Sequence, residues 1–207
     1  RRPPRSTLFP YTRSSDLQAS DLVAQFGESV CAIEIDLEQP ESIVAAAKVA
    51  SDVELGVSNA GVLNTTEPLA DDAIESLQYE MTVNVYGLMR MAKAFAPILK
   101  ANGGGALVQL NSVASLKSFV SFSTYSASKA AAYSMTQALR ELLAEQGTAI
   151  LSVHPGPIMS DIADAAGIAE VAEPPEVVAN GVIDALQAGD FHLFPDTIAG
   201  GVGRAHV

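Results

Sequence analysis

The sequence predicts an α/β fold built on a parallel sheet, and three observations carry the prediction. Short apolar runs alternate with longer segments of helical spacing along most of the chain. The runs are nearly continuous in apolar residues, as expected of strands covered by helices on both faces. Gly, Pro, Asn and Asp fall at the joints between the two kinds of segment.

Taken in order, Leu17, Leu22 and Phe26 share a helical face and Gly27 ends that helix. "VCAIEI" (30–35) reads as a buried strand closed by Asp36, with Cys31 as a small buried hydrophobe. Pro40 and Glu41 open a helix in its first turn. "VELGVS" (53–58) is a second strand, weakened by Gly56 and followed at once by Asn59-Ala60-Gly61. Two helical segments follow, about 70–79 and 81–101; Met81, Val85, Leu88, Ala92, Phe95 and Leu99 recur at spacings of three and four. "NGGG" breaks the chain before a third strand, 106–112. A long helix, 124–146, leads to a fourth strand, 149–155, closed by "PGP". Short helices near 160–166 and 175–187 and a short strand "FHLF" complete the reading.

With 207 residues and 48% apolar composition, the chain predicts one domain with a real core. A net charge of −12 argues against binding the phosphate backbone of nucleic acids. No apolar run is long enough to cross a bilayer, and the single cysteine allows no internal disulfide, so a cytoplasmic protein is expected. Residues 1–15 carry Arg1, Arg2, Arg5 and Arg13, three prolines and no helical or strand periodicity. They read as a non-native or disordered leader, and residues 198–207, with "GGVGR", as a C-terminal tail, leaving 16–197 as the domain.

In an open parallel sheet, ligands sit beyond the carboxyl ends of the strands. That singles out Asp36, Asn59-Ala60-Gly61, Ser112 and Pro155-Gly156. On the long helix, Tyr125 and Lys129 are four residues apart and so share a face. A free phenol ionises near pH 10; a nearby ammonium favours the phenolate and makes it a usable acid–base. Small residues between the two leave room for a flat ligand. Ser112 can donate to a carbonyl oxygen that gains charge. Asn84, inside a helix, must face solvent or a polar pocket. The bland readings are a surface Tyr–Lys pair, a strand-end serine bonding its own backbone and an exposed helical asparagine. His154 reads as a packed, hydrogen-bonded imidazole, and no metal-ligand spacing emerges. A serine hydrolase finds no G-x-S-x-G turn.

"YSASK" with Ser112 upstream, "SNAG" after a strand, "NVYG" in the next helix and "PGPIMS" after the last buried strand, in this order, resemble the short-chain dehydrogenase/reductase family over residues 16–197. The resemblance implies a Rossmann-like, doubly wound sheet and an NAD(P)-dependent oxidoreductase that interconverts an alcohol and a carbonyl. It implies Tyr125 as acid–base, Lys129 as the group that lowers its pKa and holds the nicotinamide ribose, Ser112 as the carbonyl-polarising hydroxyl, and Asn84 as the holder of a relay water. Asp36 would meet the adenine; Asn59, Ala60 and Gly61 would line the NAD or NADP cleft. Pro155, Gly156 and Ile158 would border the nicotinamide, with Ser160 near its carboxamide or the phosphates. A small-molecule alcohol or carbonyl substrate and a homodimer or homotetramer are also implied. Residues 161–176, Ala-rich and acidic with Ile162, Ile168 and Val171, lie where the family closes over substrate and hint at an apolar one. Ser58 replaces an Asn usual in the family, and no Gly-rich turn precedes residue 16, so the first strand–helix–strand unit is expected to be missing and strand 30–35 to stand apart. The alternative is an inactive truncated fragment or a non-catalytic binding or oligomerisation protein.

Overall fold

A computed structural model of the chain describes residues 7–11 and 16–207. Strand β1 (Thr7–Tyr11) and helix α1 (Asp16–Phe26) lead to β2 (Val30–Glu34) and α2 (Pro40–Val49). Then come β3 (Leu55–Ser58), α3 (Ala73–Glu80), a π-helical segment (Met81–Tyr86) and α4 (Gly87–Ala101). β4 (Ala106–Leu110), α5 (Ser123–Ala144), β5 (Ala149–Val153) and the short α6 (Asp161–Ala165) follow. The chain closes with α7 (Glu176–Ala188), β6 (His192–Leu193) and α8 (Thr197–His206).

All the ladders are parallel, as the alternation of strands and helices requires. One sheet has the order β3-β4-β5-β6; the other is the pair β1-β2. Helices cover both faces of the larger sheet. Leu107 and Ile150 meet Ala92 and Leu99 of α4 and Leu143 of α5 on one side. Val108, Leu151 and Val153 meet Ala185 and its neighbours on α7 on the other. Adjacent residues of one strand thus enter opposite cores, which is why the strands read as unbroken apolar runs.

Three expectations are corrected. Residues 7–11, counted in a leader, form β1, in register with β2 from Thr7 opposite Val30 to Tyr11 opposite Glu34. Pro10 has no N–H, but among the described residues β1 is bonded on one side only, so the strand tolerates it. A strand therefore precedes α1. The remainder of the predicted leader lies outside the described residues. Second, Cys31 is exposed, and β2 buries none of its side chains fully. No ladder among the described residues joins its sheet to β3, so β2 lacks the central place that would enclose it. What secures β2 is the next turn of chain: Ile35 packs with Ile43, Ala46 and Phe95, and Arg90 Nη1 donates to the Leu37 carbonyl at 2.6 Å.

Third, the predicted tail is α8. Asp196 caps it, accepting from Ala199 N at 2.8 Å, and Gly203 packs so tightly that a Cβ would lie 2.8 Å from the Phe194 ring. Elsewhere the break between α4 and β4 is a rigid corner. Gly104 and Gly105 have φ of 104° and 62°, and a Cβ on either would land on the carbonyl of Gly147 or of Glu54. Thr148 Oγ1 donates to Gly104 O at 2.8 Å and Ala106 N to Glu54 O at 2.9 Å, tying the corner to its neighbours.

Candidate active site

The carboxyl ends of β3, β4 and β5 share one rim, and the sequence places a polar turn after each. After β4, Asn111 N donates to Val153 O at 2.8 Å and Val113 N to Pro155 O at 2.9 Å, locking the exits of β4 and β5 side by side. Ser112, in extended backbone, caps a single 3-10 turn (Val113–Ser115); its Oγ accepts from Ala114 N at 3.1 Å and donates to Pro155 O at 3.4 Å. The strand-end bonding anticipated for this serine is present. Its hydroxyl nevertheless reaches Tyr125, where it favours the ionised phenol.

Tyr125 enters on the first turn of α5. That end of the helix is fixed by the loop after β3: Ser123 Oγ donates to Thr66 O at 2.9 Å, and Thr66 N donates to Ser121 O at 3.0 Å. One turn on, Lys129 is 4% exposed, and its Nζ donates to Leu110 O at 2.8 Å. The Nζ lies 5.7 Å from the centre of the Tyr125 ring. The shared face expected from the spacing is there; the expected electrostatics are not. Burial pushes the phenol up to about 12, Ser112 pulls it down and the charge of Glu80 pushes it up further. Burial also draws the Lys129 ammonium down to about 8. Removal from water disfavours the charged form of each group, which moves the phenol up and the ammonium down.

Asn84 is 3% exposed, in the π-helical segment rather than a regular helix. Its Oδ1 accepts from Val62 N and its Nδ2 donates to Val62 O, both at 2.9 Å. Nδ2 also donates to Ser128 Oγ at 2.9 Å, and that hydroxyl donates to Tyr125 O at 2.8 Å. The amide thus clamps the loop after β3 onto α5. Gly61 is next to the clamped residue: a Cβ there would lie 3.1 Å from Asn84 Oδ1 and 3.5 Å from Lys129 Nζ.

Ser112, Tyr125, Lys129, Asn84, Gly61 and Pro155 therefore converge on the rim, with Asn59 and Ala60 immediately before Gly61 on the same loop. Gly156 stands beside them, its N–H donating to Asp196 Oδ2 at 2.7 Å. The other predicted contacts are engaged locally. Asp36 Oδ1 accepts from Glu38 N at 2.9 Å in the turn before α2. Ile158 bridges to Glu173, and Ser160 caps α6, accepting from Ala163 N at 3.4 Å.

Sequence reasoning missed two supports. Behind Ser112 lies fully buried His154: Nδ1 contacts Ser115 Oγ and Nε2 contacts Ser152 Oγ, each at 2.8 Å, and Ser152 Oγ accepts from Asn111 Nδ2 at 2.8 Å. Burial holds the imidazole neutral, down to about 4. The packed, bonded histidine was expected; its chain of hydroxyls was not. The second support is Glu80, wholly buried, which the sequence does not set apart from its polar neighbours Glu75, Ser76 and Gln78 on the same helix. Among the described residues no group of His, Cys, Asp and Glu is placed to hold a metal, and no helix is long and apolar enough to cross a membrane.

Comparisons with known proteins place the chain among dehydrogenases. The NADP-dependent 3-hydroxy acid dehydrogenase of Schizosaccharomyces pombe is 26% identical over 195 residues, covering 87% of this chain and 75% of that protein. The 2-dehydro-3-deoxy-L-rhamnonate dehydrogenase (NAD(+)) of a Sphingomonas species is 29% identical over 155 residues, 72% of this chain and 62% of that protein. A short-chain dehydrogenase of Burkholderia cenocepacia, solved in complex with NADP, superposes with a TM-score of 0.85 at 26% identity over 97% of this chain and 92% of that one. The chain spans 53% of the length of another relative, a Neurospora crassa short-chain dehydrogenase. The sequence model of the family described as short chain dehydrogenase matches residues 8–170, beginning within β1, and with more than half the chain so matched the protein belongs to that family.

Proposed function

We propose that the chain is an NAD(P)-dependent oxidoreductase that interconverts an alcohol and a carbonyl, with Tyr125 exchanging the proton at the substrate oxygen. The observation that supports this most is the convergence of Ser112, Tyr125 and Lys129 beside Gly61 at one end of the sheet. The nicotinamide end of the cofactor fits these residues: Gly61 leaves a space that a Cβ would fill, walled by Asn84 and Lys129. When bound, that group supplies or accepts the hydride.

The chain's own residues do the rest. Ser112 donates to the substrate oxygen and favours ionisation of Tyr125. Tyr125, held protonated near neutral pH by burial, is set to give a proton to a carbonyl that gains charge. Lys129, drawn down to about 8, exchanges protons more easily than an ordinary lysine and carries spare N–H donors for ribose hydroxyls. Asn84 holds the loop that bears Asn59, Ala60 and Gly61; Pro155, Gly156, Ile158 and Ser160 border the opposite wall, and Asp36 the adenine end. Relatives with NADP and with NAD(+) in their names leave both cofactors in the reading. Ile162 and Val171, exposed on the segment after β5, favour an apolar small-molecule substrate. Met89 on α4 and Leu142 on α5, also exposed, support a homodimer or homotetramer.

Titration of the 207-residue chain with NADH and NADPH, followed by turnover of a panel of aldehydes and ketones, tests the proposal. Saturable binding with turnover is expected; no binding of either cofactor overturns it. A second reading, a non-catalytic member of the family, is favoured by the separation of β1-β2 from the main sheet. Binding without turnover on any substrate supports that reading instead.

A further inference from the structure

His154, the residue after β5, is fully buried, and its neighbours fix the ring. Phe194 stacks on it with centroids 5.2 Å apart, and Tyr133 meets it edge-on at 4.8 Å. Ser115 Oγ contacts Nδ1 and Ser152 Oγ contacts Nε2, each at 2.8 Å. The hydroxyl protons follow from their partners. Thr136 Oγ1 donates to Ala132 O at 2.8 Å, so it accepts from Asn111 Nδ2 at 3.3 Å. Asn111 Nδ2 also donates to Ser152 Oγ at 2.8 Å. Ser152 accepts there, so its own proton points at Nε2, which is therefore bare. A neutral ring then carries its proton on Nδ1. The other side of the ring agrees independently: Nδ1 lies 3.3 Å from the Ser112 carbonyl, which can only accept. Ser115 Oγ accepts from Nδ1 and donates onward to Ser112 O, which also takes Ser115 N at 2.9 Å.

We propose that His154, as its Nδ1–H tautomer, is a positioning residue for Ser112, passing hydrogen bonds in one direction from Asn111 through Ser152 and Ser115 to the Ser112 carbonyl. The proposal rests on the oxidoreductase reading, since the serine it positions is the one that donates to the substrate oxygen there. Ser115 N, Ser115 Oγ and Nδ1 converge on that carbonyl and hold the serine's backbone. Its hydroxyl accepts from Ala114 N at 3.1 Å and donates to the carbonyl of Pro155, the residue following His154. Bonds aligned head to tail strengthen one another away from water. A donor aimed at charge that develops during reaction is effective because it is already in place.

Full-length protein labelled with 15N at histidine reads the tautomer directly; His192→Gln and His206→Gln identify the other two of the three histidines. Near neutral pH, Nδ1 should be the protonated nitrogen and Nε2 the bare one. A proton on Nε2, as a reversed Asn111 amide would require, or on both nitrogens overturns the proposal. His154→Asn keeps an N–H donor where Nδ1 stands; His154→Gln reaches the Nε2 end and leaves Ser115 without a donor. The Ala114 amide, bonded to the serine hydroxyl, should exchange hydrogen about tenfold faster in His154→Gln than in wild type or His154→Asn. For a ketone that wild type reduces, kcat should fall about tenfold in His154→Gln and about threefold at most in His154→Asn, with NADPH affinity within about twofold of wild type in both. In a Ser112→Ala background, His154→Gln should cost no further kcat, whereas a merely structural role would cost as much as before. Equal losses in the two variants, or an undiminished loss without the serine hydroxyl, overturn the proposal. The tautomer is read on folded wild type, so a variant that fails to fold does not spare it. Failure of wild type to turn over any carbonyl counts against the oxidoreductase reading alone, because tautomer and amide exchange are read without substrate.

Discussion

Lys129 Nζ stands 5.7 Å from the centre of the Tyr125 ring while donating to the Leu110 carbonyl at 2.8 Å. The amine is thus fixed to the end of β4 and the phenol to the start of α5, so the pair links the sheet to the helix. The two substitutions at this pair separate its functions. Tyr125→Phe keeps the ring and removes the proton: turnover should fall about a hundred- to ten-thousand-fold, with NAD(P)H affinity retained. Lys129→Met keeps the length and removes the charge, and should weaken both, as stopped-flow turnover and fluorescence titration will show.

His154 makes stability depend on pH. Its value falls from 6.5 in the unfolded chain to about 4 when folded, so the unfolded state binds more protons between those values. The contribution is full above pH 6.5 and is lost as pH falls towards 4, on the order of 3 kcal/mol in all. Glu80, raised by burial, works in the opposite direction over the acid range. The comparison is therefore made between wild type and His154→Gln: urea midpoints should fall more steeply with acid in wild type than in the variant.

Gly61 should tolerate no side chain without cost to the cofactor. The Cβ of Gly61→Ala meets Asn84 Oδ1 at 3.1 Å and Lys129 Nζ at 3.5 Å. Cofactor affinity should fall about tenfold, equal to about 1.4 kcal/mol, with thermal stability nearly unchanged. Isothermal titration of the variant measures it.

Asp196 serves two elements at once, capping α8 and holding Gly156 N. Asp196→Ala should destabilise the protein by about 1–3 kcal/mol in denaturant melts, and Asp196→Asn by less, because an amide oxygen still caps.

Much of this fold was legible because its signals are local. The spacing from Val85 to Leu99 put the right residues inward, and Val85, Leu88, Ala92, Phe95 and Leu99 are all buried. The helical period put Tyr125 and Lys129 on one face, and the family resemblance singled the pair out. Other features depend on distant parts of the chain. A π-helical turn at Asn84 has the same composition as an α-helical one, and the wider turn shows only in the hydrogen bonds. Cys31 was misplaced because burial of a strand depends on which strands flank it, and among the described residues β2 has only β1. The phenol was expected to be acidic because the ammonium was visible in sequence, while the loss of water from around the ring was not. Glu80 escaped notice because its hydrogen-bond partner, Asn64, is far from it along the chain.

The glycines between α4 and β4 look like the natural place to open the chain for a spliced reporter or for new termini by circular permutation. Gly104 and Gly105 rule that out, since the carbonyls of Gly147 and Glu54 occupy the space that any side chain at these two positions would need. Any insert there would have to pry β3 and the start of β5 away from β4. The softest-looking letters of the chain mark one of its least yielding joints.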